Sequence, residues 1–140
     1  MKQPLTPPNT QKNMVKITKE DLDENNYYKH SDSLISDESI EADEDLGYVK
    51  FKSKIVSKKY IYFKAGSGIE AGDGIKAGWS IEAGWGIEAG EGIITFYGDL
   101  MAKFVSCLRI VVGFNSIEEK TITAKIRKGD IILGRLNNEK

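Results

Sequence analysis

Apolar positions recur every six residues through the middle of the chain. From Phe63 to Gly98 the units read FKAGSG, IEAGDG, IKAGWS, IEAGWG, IEAGEG and IITFYG. Position one is apolar throughout (Phe63, Ile69, Ile75, Ile81, Ile87, Ile93), position three is small, and position four is Gly in five of the six units. Such a repeat outranks local propensity as a guide to fold, because a unit this short buries its apolar position only by stacking on neighbours. Ten of the fourteen Gly residues fall between Gly66 and Gly98. In a helix each would cost roughly 1 kcal/mol relative to Ala, so the segment is not helical. Ile-Glu-Ala-Gly instead predicts a three-residue strand running in, out, in, then a corner where Gly permits φ > 0.

The fold expected is all-β: a short parallel β-helix of hexapeptide units. With three six-residue faces to a coil, residues eighteen apart stack at the ~4.8 Å strand spacing. Trp79 then lies on Tyr97, Lys64 on Glu82, Glu70 on Glu88 and Asp73 on Glu91. A two-faced coil of twelve residues would set Lys76 beside Glu88 and Trp79 beside Glu91. Charge pairing alone does not decide between them; the eighteen-residue coil is preferred.

The flanks keep parts of this rhythm. Leu22, Tyr28, Leu34, Ile40 and Leu46 also stand six apart, and Ile40-Glu41-Ala42-Asp43-Glu44-Asp45 is a hexad with acids in place of glycines. The solenoid is therefore expected to begin near Leu22, although the acidic composition alone also suits a disordered tail. Residues 14–19 alternate as a short strand. The alternating stretch after Gly47 (VKFKSKIVSKKYIYF) reads as strand with Val49, Phe51, Ile55, Ile61 and Phe63 inward. Beyond Gly98 the period fades. LMAKFVSCLRIVVGF fits helix or strands, with strands favoured in its second half, and KTITAKIRKGDIILGRL is read as turning at Lys128-Gly129-Asp130. The organisation expected is a flexible arm at 1–13 holding all three prolines, then one solenoid domain at 14–136. Its regular hexads occupy 63–98, and 99–136 form a C-terminal β cap over the open end.

Charge is blocky rather than large. The net −1 is the sum of −6 over residues 1–46, +6 over 47–64, −4 over 65–98 and +3 over 99–140. No general affinity for nucleic acid or anionic membrane follows from that total. The N-terminus lacks the apolar core of a signal peptide, and no apolar run is long enough to span a membrane, so a cytoplasmic protein is expected. A single cysteine, Cys107, excludes an internal disulfide framework and reads as a buried structural thiol.

Catalytic signals are weak. G-x-G-x-x-A windows such as Gly72–Ala77 are products of the repeat, with no following helix to bind a dinucleotide. An acyltransferase reading must pass through His30, the one histidine, which sits in a polar stretch and reads as a surface residue. The stronger candidates are binding surfaces: an acidic face of Glu70, Asp73, Glu88 and Glu91, and an aromatic set of Trp79, Trp85 and Tyr97. Lys50, Lys52, Lys54, Lys58 and Lys59 read as the solvent side of edge strands, where Lys resists aggregation. No metal or cofactor is expected.

The run GIEAGDGIKAGWSIEAGWGIEAGEGI and the ending Ile126-Arg127-Lys128-Gly129-Asp130-Ile131-Ile132-Leu133-Gly134-Arg135-Leu136 resemble small GI(E/K)AG hexapeptide-repeat proteins of bacterial phages and mobile elements. The resemblance covers about residues 34–136 and carries over no functional residues. Size, acidity and this association together lead to the expectation of a non-enzymatic protein that binds a host protein through its acidic and aromatic faces, in its most concrete form an inhibitor of a defence nuclease of the anti-CRISPR type. The partner would be a nuclease or nucleic-acid-binding protein in the host bacterial cytoplasm. A structural solenoid that self-assembles into an oligomer or filament is the alternative.

Overall fold

In every regular unit the first and third residues point inward and the second points out. Ile75-Lys76-Ala77 and Ile81-Glu82-Ala83 bury Ile and Ala and expose the charge between them. The computed structural model describes residues 14–137. Its first row holds β1 (Val15–Ile17), one turn of 3-10 helix (Lys19–Asp21) and β2 (Leu34–Ser36). The next holds β3 (Ile40–Ala42), β4 (Gly47–Phe51) and β5 (Ile55–Ser57), followed by β6 (Ile61–Phe63), β7 (Ser67–Ala71) and β8 (Ile75–Ala77). Then come β9 (Ile81–Ala83), β10 (Gly86–Ala89) and β11 (Gly92–Thr95). Two long, bent strands, β12 (Leu100–Val112) and β13 (Thr121–Leu133), each pass around all the sides, and β14 (Arg135–Leu136) starts a further row.

Parallel pairing between rows makes three faces. The first joins β1, β3, β6, β9 and the starts of β12 and β13. Face two joins β4, β7, β10 and the middles of β12 and β13. Face three joins β2, β5, β8, β11 and the ends of β12 and β13. Each face sends a column of aliphatic side chains to the axis: Ile40, Ile61, Ile81, Leu100 and Ile122 on face one; Val49, Ile69, Ile87 and Val105 on face two; Ile55, Ile75, Ile93 and Ile110 on face three. All are essentially fully buried. Each contributes about 1.5–3 kcal/mol relative to exposure.

The three-faced coil is therefore the observed one. Ile69 to Ile87 and Ile75 to Ile93 are steps of eighteen residues. Earlier steps are longer, with twenty residues from Val49 to Ile69, because a wider corner at residues 64–66 intervenes. Gly66 takes φ 79 there. The other position-four glycines of the hexads correct the expectation of positive φ. Gly72, Gly78 and Gly90 have ordinary φ, but a Cβ on any of them would collide with a backbone carbonyl of the preceding row, that of Lys52, Lys58 or Gly72. These glycines serve close approach of rows.

The ends also differ from expectation. The solenoid starts at Val15 rather than Leu22, and residues 19–30 are irregular: Leu22 bridges Tyr28 in antiparallel fashion, and the Tyr28 ring lies 5.4 Å from Phe51. The arm at 1–13 lies outside the described residues. Residues 99–136 are not a separate cap. They continue the three columns as further rows, and β12 is strand with no helix. Lys128-Gly129-Asp130 is the corner between faces two and three, so the chain runs on in parallel instead of folding back. The period fades in the sequence because corners change length: Ile93 to Ile110 is seventeen residues and Ile110 to Ile131 twenty-one.

Stacking explains the charge blocks. Asp37, Glu38 and Glu41 of the early rows meet Lys58, Lys59 and Lys64 one row on, at 3.3, 2.7 and 3.7 Å. Lys64 thus pairs with Glu41 rather than Glu82, which stands in register with Tyr62. The exposed Asp37–Lys58 pair contributes about 0–1 kcal/mol, so it sets register more than stability.

Close approach of rows distinguishes two glycines four residues apart. Gly78→Ala should cost about 1–3 kcal/mol by overpacking. Gly74→Ala places its Cβ 3.4 Å from the Gly92 carbonyl oxygen, an ordinary contact, and should be neutral or stabilising. Urea unfolding midpoints of the two variants measure the difference.

Candidate functional site

One to three residues before each face-one strand the chain turns a corner, where an outward side chain meets its counterpart one row on. Tyr60, Trp79 and Tyr97 occupy such corners and form a ladder. Ring centroids are 6.4 Å apart between Tyr60 and Trp79 and 5.3 Å between Trp79 and Tyr97. The ladder leaves much of its surface open; Trp79 is 44% exposed. Beside it, on face one, a groove of ≈ 330 Å³ is lined by Ser39, Glu41, Tyr60, Tyr62, Ser80 and Glu82, among others. Register explains its composition: Glu41, Tyr62 and Glu82 are consecutive outward residues of one column. Lys64 engages Glu41 at 3.7 Å, whereas Glu82 has no ion pair among the described residues. The groove thus offers π faces and carboxylate oxygens together, a combination suited to cationic side chains.

The expected aromatic set divides. Trp79 and Tyr97 stack as the eighteen-residue coil requires, but Trp85 lies at the next corner, edge-on to Phe104 at 5.6 Å. The Arg127 guanidinium covers Phe104 at 3.7 Å. A Cβ on Gly86 would collide with both Phe104 and the Tyr48 hydroxyl, so two aromatic side chains close over a glycine there. The Tyr48 hydroxyl is buried with no hydrogen-bond partner among the described residues. Burial, then the nearby Glu88 carboxylate, pushes its pKa up to about 12.

The four carboxylates expected on one face form two pairs instead. Glu70 and Glu88 are in register on face two, with Lys50 beside Glu70. Asp73 and Glu91 lie at the following corner, in a shallow depression shared with Lys54 and Lys76. The Asp73 carboxylate accepts a 2.7 Å hydrogen bond from Ser53 Oγ. Lys50 flanks the first pair and Lys54 and Lys76 the second, which weakens the anionic field of each.

His30 holds Asp21 at 2.9 Å and is half exposed. Burial opposes ionisation of Asp21, but the Thr18 N–H and His30 outweigh it and keep its pKa below the ordinary value. The pair fastens the 3-10 turn. The buried Cys107 thiol donates to the Arg109 carbonyl at 3.4 Å, and burial pushes it up to about 11. Among the described residues no three His, Cys, Asp or Glu side chains are grouped to hold a metal ion, and no helix is long and apolar enough to cross a membrane.

No family model, curated protein or solved structure matches the chain. The groove residues Glu41, Tyr60, Tyr62 and Glu82 were not legible as a set. Tyr60 and Trp79 are nineteen residues apart rather than eighteen, and Glu41 precedes the regular repeat altogether.

Tyr48 and Cys107 both hold their protons beyond the pH at which an unfolded chain releases them. Their contribution is therefore complete below about pH 9 and is lost as pH rises toward 11–12. Urea midpoints should fall across that window, and Tyr48→Phe should make the fall shallower. Cys107 should resist alkylation at pH 8 until urea unfolds the chain.

Proposed function

We propose that this chain is a non-enzymatic binding protein whose face-one groove and aromatic ladder receive a cationic segment of another protein. The observation that carries the reading is the juxtaposition of Glu41, Tyr62 and Glu82 with the Tyr60–Trp79–Tyr97 ladder. An Arg or Lys over an aromatic face gains about 0.5–2 kcal/mol, and a carboxylate alongside strengthens its hold. Half-exposed Trp and Tyr are the residue types that dominate interface energetics. In this reading the acidic contribution comes from Glu41 and Glu82 rather than from Glu70, Asp73, Glu88 and Glu91.

Proteins that grip nucleic acid carry cationic surfaces, which fits a nuclease or another nucleic-acid-binding protein as partner. The GI(E/K)AG hexads add the resemblance to phage and mobile-element proteins. Together these support an inhibitor of a host defence nuclease, of the anti-CRISPR type, acting in the bacterial cytoplasm.

Capture of nucleic-acid-binding proteins from bacterial lysate, followed by titration of the purified partner, tests this. Trp79→Ala and Glu82→Lys should each weaken binding about 30-fold or more, the range of a hot-spot loss. The Glu70→Lys/Glu88→Lys double variant should bind as the parent does. Equal capture by all three variants would remove the groove from consideration.

A further inference from the structure

The outward residues of the three faces are not alike. Face one presents Lys16, Glu41, Tyr62, Glu82, Met101 and Thr123, and face two presents Lys50, Glu70, Glu88, Ser106 and Lys128. Face three presents Ile35, Val56, Lys76, Ile94, Val111 and Leu133 in one register column. The solvent side of this sheet is thus aliphatic from end to end apart from Lys76, whose stem is itself apolar. Ile35 is 66% exposed at one end and Leu133 40% at the other. Along the far corner, Phe96 and Phe114 meet edge to face at 5.8 Å and widen the apolar surface. Monomer surfaces seldom leave an aliphatic sheet face of this length open to water.

We propose that face three is the interface of a closed homodimer, packed sheet to sheet against the same face of a second copy. Three observations favour a second copy over another partner. The face is a parallel sheet in continuous register, and an identical sheet supplies rows at the same ~4.8 Å pitch. Its rim carries Lys54, Asp73, Glu91, Arg109 and Asp130, with both signs interspersed, so it calls for neither a cationic nor an anionic partner. The area also suffices: the rows span roughly 25–30 Å and a strand with its corners roughly 15 Å. Two copies, with side-chain relief and the far-corner aromatics, bury on the order of 1,000 Å², the lower bound for a specific pair. An isologous contact uses the face on both copies and closes, whereas the row edges remain outside it.

The proposal stands on different residues from the face-one groove, so either can fail alone. Sedimentation of the full chain from about 1 to 300 μM should give a reversible monomer–dimer equilibrium with no larger species. Ile94→Lys, an outward substitution, should weaken dimerisation at least 30-fold, the loss expected of a buried charge at a central contact. Its circular dichroism and melting should stay those of the parent. Lys76→Leu completes the aliphatic column and should tighten the dimer about tenfold. Glu82→Lys, in the groove, should leave the equilibrium unchanged. A parent chain that stays monomeric at 300 μM, an open-ended series of oligomers, or a dimer indifferent to both Ile94→Lys and Lys76→Leu would each overturn the proposal.

Discussion

Everything in this molecule depends on the fit of one row against the next. A strand of three residues cannot bury its own side chains or satisfy its own backbone. It is stable only when the same residue type returns at the same place one coil later. The columns of Ile, Leu and Val supply the apolar contact, and the corner glycines let the carbonyls of Lys52, Lys58 and Gly72 come close enough for the rows to hydrogen-bond. Neither suffices alone. A side chain at those corners would hold the rows apart and cost the columns their contact.

That constraint leaves the outward positions free, and the three faces have spent the freedom differently. In the early rows, carboxylates of one row meet lysines of the next. The acidic opening of the chain and its Lys-rich second segment thereby become rungs of one ladder rather than separate functional blocks. The corner before face one carries stacked aromatics, and face three is aliphatic. A solenoid turns a six-residue sequence habit into long, straight stripes of like chemistry, so one substitution changes a rung and leaves the scaffold intact.

The fold was legible wherever the corners had constant length. Ile69 to Ile93 gave the coil, the inward columns and the Trp79–Tyr97 stack, because corners of equal size keep the sequence period and the spatial period the same. Past Ile93 and before Ile69 the corners gain or lose residues. The spatial period continues there while the sequence period does not, which is why 99–136 read as a cap when it is more of the same coil. The site suffered from the same slippage. Glu41, Tyr62 and Glu82 are neighbours across rows of unequal length, so no fixed spacing links them. Glu70, Asp73, Glu88 and Glu91, by contrast, share a spacing, yet the intervening corner and the lysines beside them divide the patch. Face three was not anticipated either, since Ile35, Val56, Ile94 and Val111 come from segments of different regularity.

The coil itself can be tested by cross-linking across rows. Glu70 and Glu88 stand opposite one another on neighbouring rows of face two, eighteen residues apart, whereas Lys76, twelve residues from Glu88, belongs to face three. Paired strands lie about 4.8 Å apart, within reach of a disulfide. With Cys107 replaced by Ala, Glu70→Cys/Glu88→Cys should oxidise to an intramolecular disulfide in the folded chain, and Lys76→Cys/Glu88→Cys should not. Ready cross-linking of the twelve-residue pair, or none of the eighteen-residue pair, would contradict the three-faced stacking.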